Sequence, residues 1–76
     1  MSFAANPILV GALVALSKGA TLTEIKEDSI GYPKNYPGDG DFEAGWDAAQ
    51  ELPDFDGLRE QFNDTIDAAI QKEQDA

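Results

Sequence analysis

Apolar residues fill the first part of the chain without a break, whereas further on they alternate with polar residues. Residues 8–16 contain only aliphatic side chains, alanine and glycine, and from residue 55 onward apolar positions recur every three or four residues. The second pattern is typical of a helix with one buried face. The first predicts a helix that must be covered on every side, because no face of it is polar. We therefore expect an all-α fold, a small bundle of three to four helices.

The first helix has clear end signals on both sides. Asn6 is a good N-cap, and Pro7 follows at the first helical position, where the missing N–H is no loss. Lys18 suits the negative end of the helix dipole, and Gly19 suits the left-handed residue that ends many helices. These signals predict a helix over residues 7–18.

A second, shorter helix is predicted after Thr21, because Thr21 and Glu24 have the spacing of a capping box. It is expected to end near residues 28–30. Residues 31–40 contain two Tyr-Pro pairs and three glycines, a composition that disfavours both helix and central strand. This segment is therefore expected to be an irregular loop in the middle of a single small helical domain spanning residues 1–76.

Two further helices are predicted on either side of Pro53. The third is expected to begin with Asp41 as its N-cap and to end before Pro53. The fourth is expected over residues 55–72, followed by a flexible tail at residues 71–76. Its apolar stripe consists of Phe55, Leu58, Phe62, Ile66, Ala69 and Ile70.

Charge limits the kinds of partner that the chain is expected to bind. Fifteen Asp and Glu residues outweigh five Lys and Arg residues, which gives a formal net charge of −10. Direct nucleic-acid binding is not expected, because it depends on Lys and Arg neutralising phosphates. Another protein, or further copies of the same chain, is the expected partner. The sequence has no cysteine and no histidine, and we expect neither enzymatic activity nor a cofactor.

The apolar N-terminal region is not expected to be an export signal or a membrane span. A signal peptide needs a basic start, whereas the first lysine here is Lys18. A span needs about 20 apolar residues, and Asn6 and Pro7 interrupt this run. A cytoplasmic location, or one within a virion-type assembly, is therefore expected rather than secretion.

Several carboxylates flank the start of the third predicted helix, and they suggest a cation-binding module at residues 39–47. Their alternation resembles a calcium loop, in which oxygen ligands recur at every second position. That pattern then requires glycine and glutamate where this chain has Ala44 and Gln50. A capped helix start with solvated acids is the preferred interpretation, so Asp39, Asp41 and Glu43 are only weak metal candidates.

Residues 15–25 resemble the first half of a helix-turn-helix unit, the DNA-binding motif whose second helix enters the major groove. The resemblance implies a recognition helix with basic or polar side chains immediately afterwards. The continuation at residues 28–33 instead contains an acid, a glycine and a Tyr-Pro pair. It departs from the motif, so the resemblance does not predict DNA binding.

The preferred function is that of a non-enzymatic interaction or assembly component that docks through its apolar N-terminal helix. Small acidic chains without catalytic residues are often accessory or structural subunits of larger particles such as phage virions. The candidate interface residues are Ile8, Leu9, Val10, Leu13, Val14, Tyr32, Tyr36 and Trp46. The alternative is an acidic inhibitor that mimics nucleic acid and blocks a basic surface. Its carboxylates would be Asp56, Glu60, Asp64 and Asp67, whose spacing allows one shared helix face.

The central position of Phe62 in the apolar stripe of the fourth helix yields the first prediction. Replacing Phe62 by alanine should lower the free energy of unfolding by roughly 3–5 kcal/mol, the range for truncating a buried phenylalanine. Thermal or denaturant melting followed by circular dichroism measures the loss. An unchanged melting curve would mean that the stripe is not the core.

Overall fold

The computed structural model describes residues 6–31 and 35–75 of the protein. Within these residues the structure is all-α, as the sequence predicts, and no strand is present. The four helices, in chain order, are α1 (Pro7–Ser17), α2 (Leu22–Ser29), α3 (Asp39–Gln50) and α4 (Phe55–Asp75).

The predicted end signals of α1 and α2 are confirmed. The Asn6 side-chain oxygen accepts a hydrogen bond from the backbone N–H of Ile8 at 3.1 Å. Gly19 takes the left-handed conformation, with φ of 111°, after α1 has ended. At the start of α2, Thr21 and Glu24 form both bonds of the capping box. These ends are fixed by local chemistry, which explains why sequence alone locates them.

Helix α3 begins earlier than predicted, with Gly38 rather than Asp41 as its N-cap. The Gly38 carbonyl accepts hydrogen bonds from the backbone N–H groups of Asp41 and Phe42, at 3.0 and 3.1 Å. Gly38 has φ of 85°, and a Cβ added there would lie 2.5 Å from the Cα of Ala15. A tight contact with α1 therefore sets this boundary, and the irregular loop ends at residue 38 instead of residue 40.

Helix α4 is longer than predicted, and residues 71–75, which were expected to be a flexible tail, form its last turn. These residues continue the helix to Asp75, and the Gln71 side-chain amide donates to the Asp75 carboxylate at 3.1 Å. All five are exposed. The helix continues there because residues 71–75 include no glycine or proline. Ala76 lies outside the described residues.

The closest contact between helices is a crossing of α1 and α3 at two glycines. A Cβ on Gly11 would lie 2.8 Å from the carbonyl oxygen of Asp41, and one on Gly45 would lie 2.3 Å from the carbonyl oxygen of Pro7. The start of α1 thus lies against the second half of α3, while its end lies against Gly38, so the helices are antiparallel. Backbone contacts backbone here, without side chains between them.

An aromatic cluster joins α3 to α4. The Phe42 ring lies 5.4 Å from the ring of Phe62, and Trp46 meets Phe55 and Phe62 edge-on at 5.7 and 6.2 Å. Phe62 is completely buried, as its place in the apolar stripe implies, and Phe42 is 2% exposed. Such tilted and edge-to-face pairs are favourable beyond the area that they bury.

The buried side-chain amide of Asn6 links the start of α1 to the first half of α4 by hydrogen bonds. The Asn6 side chain is fully buried, and its nitrogen donates to the Leu58 carbonyl at 3.0 Å and to the Gln61 side chain at 2.8 Å. Because its oxygen also caps α1, both ends of the amide are satisfied. A buried polar side chain without such partners would be costly. Asn6 therefore positions α1 on α4 as well as starting the helix.

The glycine crossing predicts opposite outcomes for two glycine-to-alanine substitutions in α3. Gly45→Ala should lower the free energy of unfolding by at least about 2 kcal/mol, because the new methyl must push α1 away. Gly40→Ala, in the same helix, meets nothing within 4 Å and should be neutral or stabilising by about 0.5 kcal/mol. Chemical denaturation of both variants tests this. Equal stabilities would show that the crossing is not tight.

Candidate interaction surface

Three large aliphatic side chains of α1 remain exposed and lie on one side of the helix. Val10 is 41% exposed, Leu13 is 48% exposed and Val14 is 37% exposed. Their spacing of three and four residues places them on a single stripe. We call these three residues the outer face of α1. No other helix of the described structure covers this stripe.

Two of the candidate interface residues of α1 are instead part of the core. Ile8 is completely buried and Leu9 is 5% exposed. Both belong to the hydrophobic core, and Leu9 lies one turn before Leu13 at the α4 side of α1. The predicted interface on α1 therefore narrows from five residues to Val10, Leu13 and Val14.

The three aromatic candidates for the interface do not form an exposed surface in the described residues. Tyr32 lies outside the described residues. Trp46 is half-buried within the aromatic cluster. Tyr36 is 9% exposed, and its hydroxyl donates to the carboxylate of Asp28 at 2.5 Å. Burial raises the pKa of the Tyr36 phenol above its usual value, and the hydrogen bond to Asp28 and the charge of that carboxylate raise it further.

Depressions flank the outer face of α1 on both sides. Towards α3, Val10 and Val14 border a shallow groove of about 400 Å³ beside the glycine crossing, with Ala44 on its far side. Towards α4, Leu13 borders a smaller cleft of about 120 Å³, which we call the α1–α4 cleft. Its wall consists of Leu9, Ala12, Leu13, Leu16, Leu22, Phe62, Thr65, Ile66 and Ala69.

Sequence reasoning missed the α1–α4 cleft because its walls come from three helices. Ala69 belonged to the predicted buried stripe of α4, and Leu22 follows the capping residue Thr21 at the start of α2. Neither pattern indicates that these side chains would leave a gap beside α1. The sequence does contain one indication of the cleft. Helix α1 is apolar on every side, and short neighbouring helices cannot bury all of its surface.

The acidic residues are distributed unevenly over the chain. Residues 1–23 contain no Asp or Glu, so all fifteen carboxylates follow that segment. The one charged residue of that segment, Lys18, forms an ion pair with Asp41 at 2.6 Å. The outer face of α1 is therefore an uncharged stripe in a strongly acidic molecule.

The weak metal candidates occupy the first turns of α3. The Asp39 carboxylate accepts from the N–H of Gly40 at 2.7 Å, and Asp41 pairs with Lys18. Glu43 is exposed and lines a cleft of about 210 Å³ between the end of α2 and α3. Across the described ranges, no three acidic side chains come close enough together to hold a metal ion.

The four carboxylates of the acidic-mimic alternative are all exposed on α4. Two of them already have cationic neighbours. Asp67 pairs with Lys26 at 3.0 Å, and Asp56 pairs with Arg59 at 3.3 Å. These neighbours reduce the local negative charge on that face, although ion pairs at the surface contribute little to stability.

The helix-turn-helix resemblance extends only to the α1–α2 pair. The next helix, α3, contains Asp39, Asp41, Glu43 and Asp47 and no basic residue, so it lacks the basic side chains that contact guanine and phosphates. Within the part of the chain that the structure describes, no helix combines the length and the apolar character required to cross a membrane.

Comparison with known proteins adds no relative. No family model, no curated protein and no solved structure matches the chain.

The buried Tyr36–Asp28 pair predicts a pH dependence of stability. A raised pKa in the folded state means that unfolding releases a proton above pH 10, the ordinary tyrosine value. The stabilisation by the Tyr36 hydroxyl should thus be complete below about pH 10 and decline as pH rises further. We expect Tyr36→Phe to be less stable at pH 7 by about 1–3 kcal/mol, with the difference from wild type shrinking above pH 10. Denaturation at several pH values measures both, and a difference that stays constant with pH would contradict the assignment.

Proposed function

We propose that the protein is a non-enzymatic interaction or assembly component that docks onto another protein through the outer face of α1. The observation that carries the proposal is the exposure of Val10, Leu13 and Val14, between 37% and 48% each, on one stripe. Isolated exposed aliphatic residues are common on soluble proteins, whereas a contiguous apolar patch beside open grooves is typical of interaction sites.

Covering this stripe supplies part of the free energy that a specific contact requires. Three side chains exposed to this degree leave on the order of 200 Å² of apolar surface in water. At about 25 cal/mol per Å², its transfer from water contributes about 5 kcal/mol before the costs of association. A partner that also enters the flanking depressions would add to this contribution.

The chemistry of the outer face supports binding rather than catalysis. Its side chains are all hydrocarbon, and the chain has no histidine or cysteine to act as a base or nucleophile. The wider setting that we propose is an accessory subunit of a larger particle, such as a phage virion. This setting agrees with the small size and with an uncharged stripe on an acidic chain.

The acidic-mimic alternative is supported by the exposure of Glu60 and Asp64 on α4. It differs from apolar docking in its response to salt. Binding through carboxylates should weaken strongly at about 1 M salt, because the screening length falls to about 3 Å. Binding through the outer face of α1 should persist or strengthen, particularly in sulfate.

Charge substitutions on the outer face test the proposal directly. Val10→Glu and Val14→Glu should stay folded, because both side chains are already exposed, yet each should lose a partner recovered from the native extract. Ile30→Glu is the matched control, since Ile30 is 60% exposed, lies outside α1 and receives the same charge. Circular dichroism, solution mass and recovery of the partner are the measurements. A partner retained equally by all three variants would refute docking through the outer face.

A further inference from the structure

The α1–α4 cleft has the size and chemistry to hold one large apolar side chain. Leu9, Ala12, Phe62 and Ile66 form its buried floor, each at most 5% exposed. Thr65 is the only residue of the wall with a side-chain polar atom. The cleft measures about 120 Å³, and an apolar cavity of roughly 150 Å³ accommodates a benzene-sized molecule.

The shape of the cleft favours a helical occupant. Asn6 at the start of α1 bonds to Leu58 and Gln61 in the first half of α4, while Leu16 near the end of α1 and Ala69 further along α4 both line the cleft. The two helices therefore run side by side in the same direction and leave a trough between them. With 11 residues, α1 provides a wall about 16 Å long, which matches three turns of a docked helix.

Charge argues against a second copy of this chain as the occupant. Each copy has a net charge of −10, so two copies repel one another. On α4, Asp64 directly precedes Thr65 of the cleft wall, and Asp64 and Glu60 are both exposed. The negative charge that repels a second copy attracts a basic partner.

We infer that the α1–α4 cleft binds a cationic amphipathic helix of a partner protein, which inserts an apolar side chain beside Leu13 and directs lysine or arginine toward Asp64 and Glu60. This inference rests on the proposed function and specifies its partner. The inserted apolar side chain fixes the position of the partner helix on α1 and α4. The basic side chains of that helix distinguish this partner from others.

Three synthetic peptides of about 18 residues serve as probes, because shorter helices are marginal in water. The first has leucine at positions i, i+3, i+4 and i+7 with lysine elsewhere, the second has glutamate in place of lysine, and the third has the first composition without an apolar face. Calorimetric titration into the full chain at about 0.15 M salt should give saturable 1:1 binding of the first peptide. The second and third should bind at least about tenfold more weakly.

Substitutions at the lip of the cleft distinguish it from general attraction between opposite charges. Leu13→Glu should weaken binding of the leucine–lysine peptide by about tenfold or more, although it adds negative charge. The uncharged variant Leu13→Gln should also weaken binding, and the matched control Ile30→Glu should preserve it. Circular dichroism checks that each variant is folded. Equal binding by Leu13→Glu and Ile30→Glu would overturn the inference, because charge alone would then explain the affinity.

Two further outcomes would assign the surface differently. Equal binding of the lysine and glutamate peptides would remove the requirement for a basic partner. Sedimentation of the wild-type chain as a dimer that Leu13→Glu dissociates would make a second copy the occupant. If the peptides fail while a native partner still depends on Val10 and Val14, the cleft inference falls and the proposed function stands. If no variant of α1 affects any partner, both fall.

Discussion

The approach of the α1 and α3 backbones at Gly11 and Gly45 determines how the rest of the molecule is arranged. A Cβ on either glycine would lie within 3 Å of a carbonyl oxygen of the other helix. This contact has no side chains between the helices, so α1 and α3 pack as one unit. Phe42 and Trp46 then extend from α3 toward α4, and the aromatic cluster closes the core. A larger residue at either glycine would separate α3 from α1 and disturb the placement of that cluster.

The same arrangement explains why part of α1 stays uncovered. Helix α3 occupies the glycine side of α1, α4 occupies the side of Leu9 and Ala12, and the chain provides no further helix in the described residues for the remaining side. An all-apolar helix with three neighbours of this length therefore keeps one apolar stripe in water. The exposure of Val10 and Leu13 is thus a consequence of the fold and does not require any local distortion of α1.

Sequence predicted what depends on local chemistry and missed what depends on distant neighbours. The cap at Asn6 and the capping box at Thr21 involve residues two or three apart, and the stripe through Phe62 follows from helical periodicity. The start of α3 at Gly38 depends on contact with α1, which no local pattern reveals. The division of α1 into a core side and an outer face was inaccessible for the same reason. Because all its faces are apolar, only the positions of the other helices distinguish Ile8 from Val10.

The hydrogen bonds of Asn6 also bear on how the chain folds. They join residue 6 to residues 58 and 61, separations of 52 and 55 along the sequence, and contacts of such high order form slowly because a long loop must close first. During synthesis, α1 leaves the ribosome well before α4 exists. The most apolar helix of the protein is therefore synthesised before the helix against which it packs. Nascent chains at that stage present the whole circumference of α1, which makes early emergence the period of greatest exposure to aggregation and to chaperones.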